Sequence, residues 1–83
     1  MDFGFAIQWL RDGKRVQRSG WNGKGMWLRL VGARDGDRAV SPTYPQRAYI
    51  EMKAADGWLV PWLASQTDVL ADDWRILESD EAW

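Results

Sequence analysis

The tract Ser19-Gly20-Trp21-Asn22-Gly23-Lys24-Gly25 sets an indole, a carboxamide and an ammonium within four positions of one another. A second tract, Trp62-Leu63-Ala64-Ser65-Gln66-Thr67-Asp68, follows another indole with a run of hydrogen-bonding side chains. Aromatic rings beside Asn, Gln, Lys and Arg are the groups a purine nucleotide site requires. A ring stacks on a base for roughly 1–3 kcal/mol, amides read the base edge, and a cation meets the phosphates. The competing reading is that a small protein spends Trp on enlarging a meagre core or a subunit contact. For Trp21, beside Asn22 and Lys24, both readings stand. Ser65 to Asp68 also reads two ways. A helix start there offers free amides that favour an anion, or Ser65 and Asp68 simply cap one another and Gln66 faces water.

Composition limits what else these residues can do. The chain holds no Cys and no His, against seven Trp. Thiolate nucleophiles, disulfides and Cys-based zinc sites are excluded, as is the side chain that most often acts as a base near neutral pH. Carboxylates remain. Asp72 and Asp73 are adjacent and would point about 100° apart on a helix. Asp68 and Asp72, at i and i+4, could share a helix face, but such pairs are usually solvated. Ser65 has no His to activate it. The glycine tract lacks the spacing of a phosphate-binding loop and runs into a strand rather than a helix. Nothing in these residues argues for catalysis, although a carboxylate-based hydrolase stays open at this point, and no metal or cofactor is expected.

The net charge of −1 excludes a generally basic nucleic-acid binder, yet the charge is unevenly spread. Residues 1–38 balance to +4 and residues 39–83 to −5. A basic cluster (Arg11, Lys14, Arg15, Arg18, Lys24, Arg29) could meet the acidic C-terminal part between subunits or hold a small anion; otherwise the two are solvated faces. No apolar run approaches the roughly 20 residues of a membrane span, and no signal peptide opens the chain, so a soluble cytoplasmic protein without membrane association is expected.

These residues must be positioned by a few short elements. Asp2 is placed to cap a helix whose stripe is Phe3, Ala6, Ile7 and Leu10, with Gly13 ending it. Lys14 to Arg18 predicts a strand with Val16 inward, and the glycine tract predicts a loop. Met26 to Val31 and Arg47 to Lys53 alternate as strands. Gly32 to Pro45 is a loop with Pro breaks. Asp56-Gly57 signals a two-residue hairpin leading to a strand over Trp58 to Trp62, which Pro61 confines to an edge. A short helix over about Gln66 to Asp72 and a last strand holding Trp74, Ile76 and Leu77 complete the chain. Trp9 and Trp74 suit the core; Trp21, Trp27 and Trp62 suit a pocket or interface. The expectation is one α+β domain over residues 1–77, a small antiparallel sheet with an N-terminal helix and a short second helix before the last strand, and a tail over 78–83. A chain of this length buries only about 60% of its extended surface, so oligomerisation is a natural supplement.

The motifs are also familiar as a set. Phe3-Gly4-x-Ala6-Ile7, Gly13-Lys14-x-Val16-x-Arg18-x-Gly20-Trp21-Asn22-Gly23-Lys24-x-Met26, Arg47-Ala48-Tyr49-Ile50-x-Met52-Lys53 and Asp56-Gly57-x-x-Val60-Pro61-Trp62-x-x-Ser65-Gln66-Thr67-Asp68-x-Leu70-Ala71-x-Asp73-Trp74 together resemble the phage type-two Thoeris anti-defence family over residues 3–77. The resemblance implies a protein without turnover. It would act as a sponge for the cyclic ADP-ribose signal made by a bacterial TIR-domain defence protein, in the infected host's cytoplasm, and would assemble as a homotetramer (a dimer of dimers) with the signal held where protomers meet. Cyclic di- or trinucleotides are the alternative ligand class. The resemblance nominates Trp21, Asn22, Gly23, Lys24, Met26, Arg47, Tyr49, Trp62, Ser65, Gln66, Thr67 and Asp68 as ligand-binding. Trp21 would stack, Arg47 or Lys24 would meet the pyrophosphate, and Asn22, Gln66 and Asp68 would hydrogen-bond base or ribose. The variable stretch 32–46 would tune ligand choice.

Overall fold

The computed structural model describes residues 1–21, 25–32 and 47–77. The remaining positions include Asn22, Gly23, Lys24, most of the loop expected over 32–45, and the tail; expectations for them lie outside the described residues.

Helix α1 spans Phe3–Arg11, and the Asp2 side chain caps it by accepting the Phe5 amide. Ala6 and Leu10 of the expected stripe are buried, with Phe3 and Ile7 packed at their margin. Gly13 leaves the helix at φ 87°, in the left-handed region glycine enters without a Cβ penalty. The chain then forms β1 (Arg15–Arg18), a single 3₁₀ turn (Ser19–Trp21), β2 (Trp27–Val31), β3 (Tyr49–Lys53), β4 (Leu59–Pro61), a one-turn α2 (Gln66–Val69) and β5 (Trp74–Leu77). The sheet is antiparallel in the order β4-β3-β2-β1-β5, an α+β architecture as expected.

Register decides which side chains share a face. Val16 lies opposite Leu28 and Ile76, Leu28 opposite Met52, and Met52 opposite Val60. This face meets α1, and Ala6, Leu10, Val16, Leu28 and Trp74 form the buried core. Burying a Val or Leu side chain contributes about 1.5–3 kcal/mol, so each member of so small a core matters. Because side chains alternate across a strand, Arg15, Gln17, Trp27, Arg29, Tyr49, Glu51, Lys53 and Arg75 fall on the other face. There Arg75 Nε donates to Gln17 Oε1 at 2.9 Å, and the Gln17 amide donates to the Met26 carbonyl at 3.0 Å. The expected pocket or interface role for Trp27 is not what is observed. Its ring is buried, with the guanidiniums of Arg15 and Arg29 at 5.2 and 5.9 Å from its centroid.

Three local readings are corrected. The β3–β4 hairpin has a three-residue connection rather than two. The Gly57 amide donates to the Ala54 carbonyl, the Ala54 amide to the Trp58 carbonyl, and Gly57 sits at φ 93°. This is a tight turn followed by a left-handed glycine, the usual three-residue hairpin. The second helix stops at Val69, short of Asp72, because Asp73 is drawn to β1, where its carbonyl accepts the Ser19 amide at 3.0 Å. Trp9, expected in the core, lies only partly buried at its margin, 6.1 Å from the exposed Phe5 ring. Pro61 behaves as its chemistry demands, in the edge strand opposite Glu51.

Candidate functional site

At the C-terminal end of β1 the sheet brings the two nominated tracts together. Trp74, at the start of β5, is buried, and three rings converge on it. Trp21 meets it edge-on at 5.4 Å and 79°, Trp62 edge-on at 6.1 Å and 83°, and Phe3 tilted at 5.2 Å. Edge-to-face pairs at such separations contribute about 0.5–1.5 kcal/mol beyond burial. The Trp74 indole N–H donates to the Asp68 carbonyl at 3.0 Å, fixing α2 beside the cluster. Trp21 and Trp62 are each half-buried, so each keeps part of its ring at the surface. The sequence left open which partner would cover a tryptophan set among glycines; it is the chain's own β5.

Beside the rings lies an ion cluster. The Arg18 guanidinium donates from Nε to Asp73 Oδ1 and from Nη1 to Asp68 Oδ1, both at 2.7 Å, with a longer contact from Nη2 to Asp73 Oδ2 at 3.4 Å. Asp73 Oδ2 accepts the Gly20 amide at 2.8 Å, and Asp68 Oδ1 accepts the Trp21 indole N–H at 3.4 Å. Arg18 hydrogen bonding holds the Asp73 carboxyl below the usual carboxylate range, with the Gly20 amide acting in the same direction against a cost of burial. The two carboxylates in turn raise the Arg18 pKa, Asp73 first and Asp68 second. This is where the basic N-terminal half meets the acidic C-terminal half. Neither solvated face nor subunit contact is needed to explain these three charges.

The nominated residues divide by position. Trp21, Trp62, Ser65 and Asp68 gather around Trp74 and Arg18. Ser65 caps α2 by accepting the Asp68 amide at 3.1 Å, which spends one of the free donors an anion would use. The expected reciprocal cap is only half formed, because the Asp68 carboxylate turns to Arg18 and Trp21 instead. Gln66 and Thr67 are exposed on α2. Met26 precedes β2, and its carbonyl is taken by Gln17. Tyr49, paired with Val31, lies on the opposite face of the sheet, and Arg47 is exposed just before it. Within one protomer, Arg47 and Tyr49 are therefore not joined to the tryptophan cluster. Sequence reasoning missed Arg18 and Asp73 as site components. Their signal was available only as charge asymmetry and as positions inside longer motifs.

Two further features bound the chemistry. A surface cavity of about 190 Å³ is lined by Arg29, Leu30, Val31 and Gly32, none of them nominated. Among the described residues, no three Asp or Glu side chains gather as a metal site would require, and Asp68 and Asp73 both bear on a single arginine.

The fold and site define a small α+β protein whose distinctive surface is a tryptophan cluster braced by an arginine and two aspartates. The family model described as "Thoeris anti-defense 2-like domain" matches residues 1–77. The chain is also similar to Thoeris anti-defense 2 of Bacillus phage SP01, with 41% identity over 86 aligned positions covering 93% of this chain and 94% of that protein. The chain belongs to the Thoeris anti-defence 2 family, whose members are anti-defence proteins. No helix among the described residues is long and apolar enough to cross a membrane.

Proposed function

We propose that this protein is a non-catalytic sponge that binds and sequesters glycocyclic ADP-ribose, the signal of TIR-domain immune proteins, so that the Thoeris effector is not activated. The observation that carries this reading is the pairing of two half-buried indoles, Trp21 and Trp62, each held edge-on against Trp74. Rings fixed in this way receive a purine at little cost in side-chain ordering. A sponge needs that, since it must outcompete an effector for a scarce ligand. Asn22, Gly23 and Lys24 follow Trp21 directly in the chain and supply amides and a cation; Gln66 and Thr67 supply hydrogen bonds from α2.

Assembly completes the reading. Trp58, Leu59, Val60, Leu63, Val69 and Leu70 are all exposed in the single chain, Leu63 at 92% and Leu70 at 79%. Large apolar side chains exposed in this number favour subunit contact, in keeping with a homotetramer acting in the cytoplasm of the infected host. A neighbouring protomer would also bring a second set of Arg47 and Tyr49 within reach of a shared pocket.

Calorimetry with purified glycocyclic ADP-ribose tests the proposal, followed by heat release and identification of the ligand. Tight binding and recovery of intact ligand are expected; recovery of a cleaved product would mean an enzyme. Parallel titrations with cyclic di- and trinucleotides address the alternative, and binding of those alone would transfer the role to the other signal class.

A further inference from the structure

We infer that Arg18 is a positioning residue for this site, holding the Trp21 indole in the orientation that receives a ligand ring. The inference rests on the sequestration reading and deepens it. Arg18 ends β1, the strand at the middle of the β2-β1-β5 half of the sheet. One side of its fork engages Asp73, which precedes β5, and the other engages Asp68 on α2. Each carboxylate then hands the restraint on, Asp73 to the Gly20 amide and Asp68 to the Trp21 indole N–H. The two residues that lead into Asn22, Gly23 and Lys24 are thus tied, through different acids, to one guanidinium.

The chemistry requires an arginine. A planar guanidinium presents donors in a fixed fork and meets two carboxylates from different elements at once, whereas an ammonium is a point charge on a flexible stem. Both Arg18 and Asp68 side chains are only 17% exposed, so water does not readily replace the contacts. The surrounding chain would otherwise be permissive, since Gly20, Gly23 and Gly25 bracket Trp21 with residues of wide backbone freedom. A site in which the competent ring orientation is populated only in part binds with an apparent affinity reduced by that fraction. The ion cluster raises that fraction without touching the ligand.

The experiment pairs a ligand-free readout with a binding readout on the full chain. Protein labelled with 5-fluorotryptophan gives a fluorine resonance for Trp21, assigned by its loss in Trp21→Phe. In Arg18→Gln and Arg18→Lys, folded by circular dichroism, the Trp21 line is expected to broaden or split while the Trp27 line stays put. Stopped-flow binding of glycocyclic ADP-ribose should show an apparent affinity about tenfold weaker, carried by slower association with dissociation nearly unchanged. Arg18→Lys, which retains the charge, keeps the measurement available if the neutral variant does not fold. An unmoved Trp21 line overturns the inference. So does a normal association rate with faster dissociation, which would make Arg18 a direct ligand contact. Failure of the unaltered protein to bind would instead overturn the sequestration reading, and the fluorine spectra would still judge the Arg18 restraint on Trp21.

Discussion

Arg18 and Asp73, separated by 55 positions in the chain, meet through Nε and Oδ1 at 2.7 Å. This contact closes the sheet at its β1–β5 edge and braces the turn that carries Trp21. It joins the element that begins the tryptophan tract to the element that ends the fold.

A first prediction concerns pH. Asp73 is held below the usual carboxylate range, chiefly by Arg18, so its folded-state pKa lies below its unfolded value. The folded protein then binds fewer protons at this group, and its contribution is fully present above the unfolded pKa of about 3.9. It is lost as pH falls through the lower, folded pKa. Wild-type Tm should therefore drop more steeply than that of Asp73→Asn as pH is lowered below about 4, measured by thermal melts in matched salt.

Gly20 is constrained by proximity. A Cβ built there would lie 2.9 Å from Asp73 Oδ2. Gly20→Ala should push the carboxylate off the Gly20 amide, destabilising the fold by about 1–2 kcal/mol. Urea titration checks this, with an unchanged m-value expected because the core is untouched.

The rings should separate by role. Trp21→Ala and Trp62→Ala each remove a half-buried surface ring and should weaken glycocyclic ADP-ribose binding by roughly tenfold to a hundredfold, with the far-ultraviolet dichroism retained. Trp74→Ala removes the buried ring on which both rest and should destabilise by about 3–5 kcal/mol, seen as a large fall in the urea midpoint.

Leu28 is fully buried between α1 and the sheet. Leu28→Ala should cost about 2–5 kcal/mol through lost transfer energy and the cavity left behind. Chemical denaturation reads this directly, and a loss under about 1 kcal/mol would mean the core collapses around the missing atoms.

Leu63 and Leu70 are exposed in the isolated chain and contribute nothing to its core. Leu63→Glu with Leu70→Glu should leave the protomer folded while shifting sedimentation velocity from an assembled species towards monomer. A monomeric unaltered protein would remove assembly from the proposed mechanism.

The local grammar of this protein was legible along the chain. Asp2 and Ser65 as caps, Gly13 as a helix stop, Val16 as an inward strand residue and Pro61 at an edge all follow from rules acting over a few residues. Trp21 stood out because a large ring among glycines has no local explanation. What sequence left open was partnership. Asp68 read first as half of a capping pair with Ser65 and second as a ligand group, and Asp73 read only as a neighbour of Asp72 pointing elsewhere. Register across β1 and β5 supplied the partner, placing Arg18 opposite Trp74, where its guanidinium meets both acids. Trp27 was misread in part for the same reason: Arg29 shares its face by alternation along β2, but Arg15, whose guanidinium also lies over the ring, arrives only through the pairing of β1 with β2. Sequence determined the elements and the chemistry available, because caps, turns and periodicity are short-range effects. Tertiary structure alone decided which charges neutralise one another and which rings remain at the surface, because both depend on contacts between elements distant in the chain, some fifty residues for the ion cluster and Trp21 and twelve for Trp62.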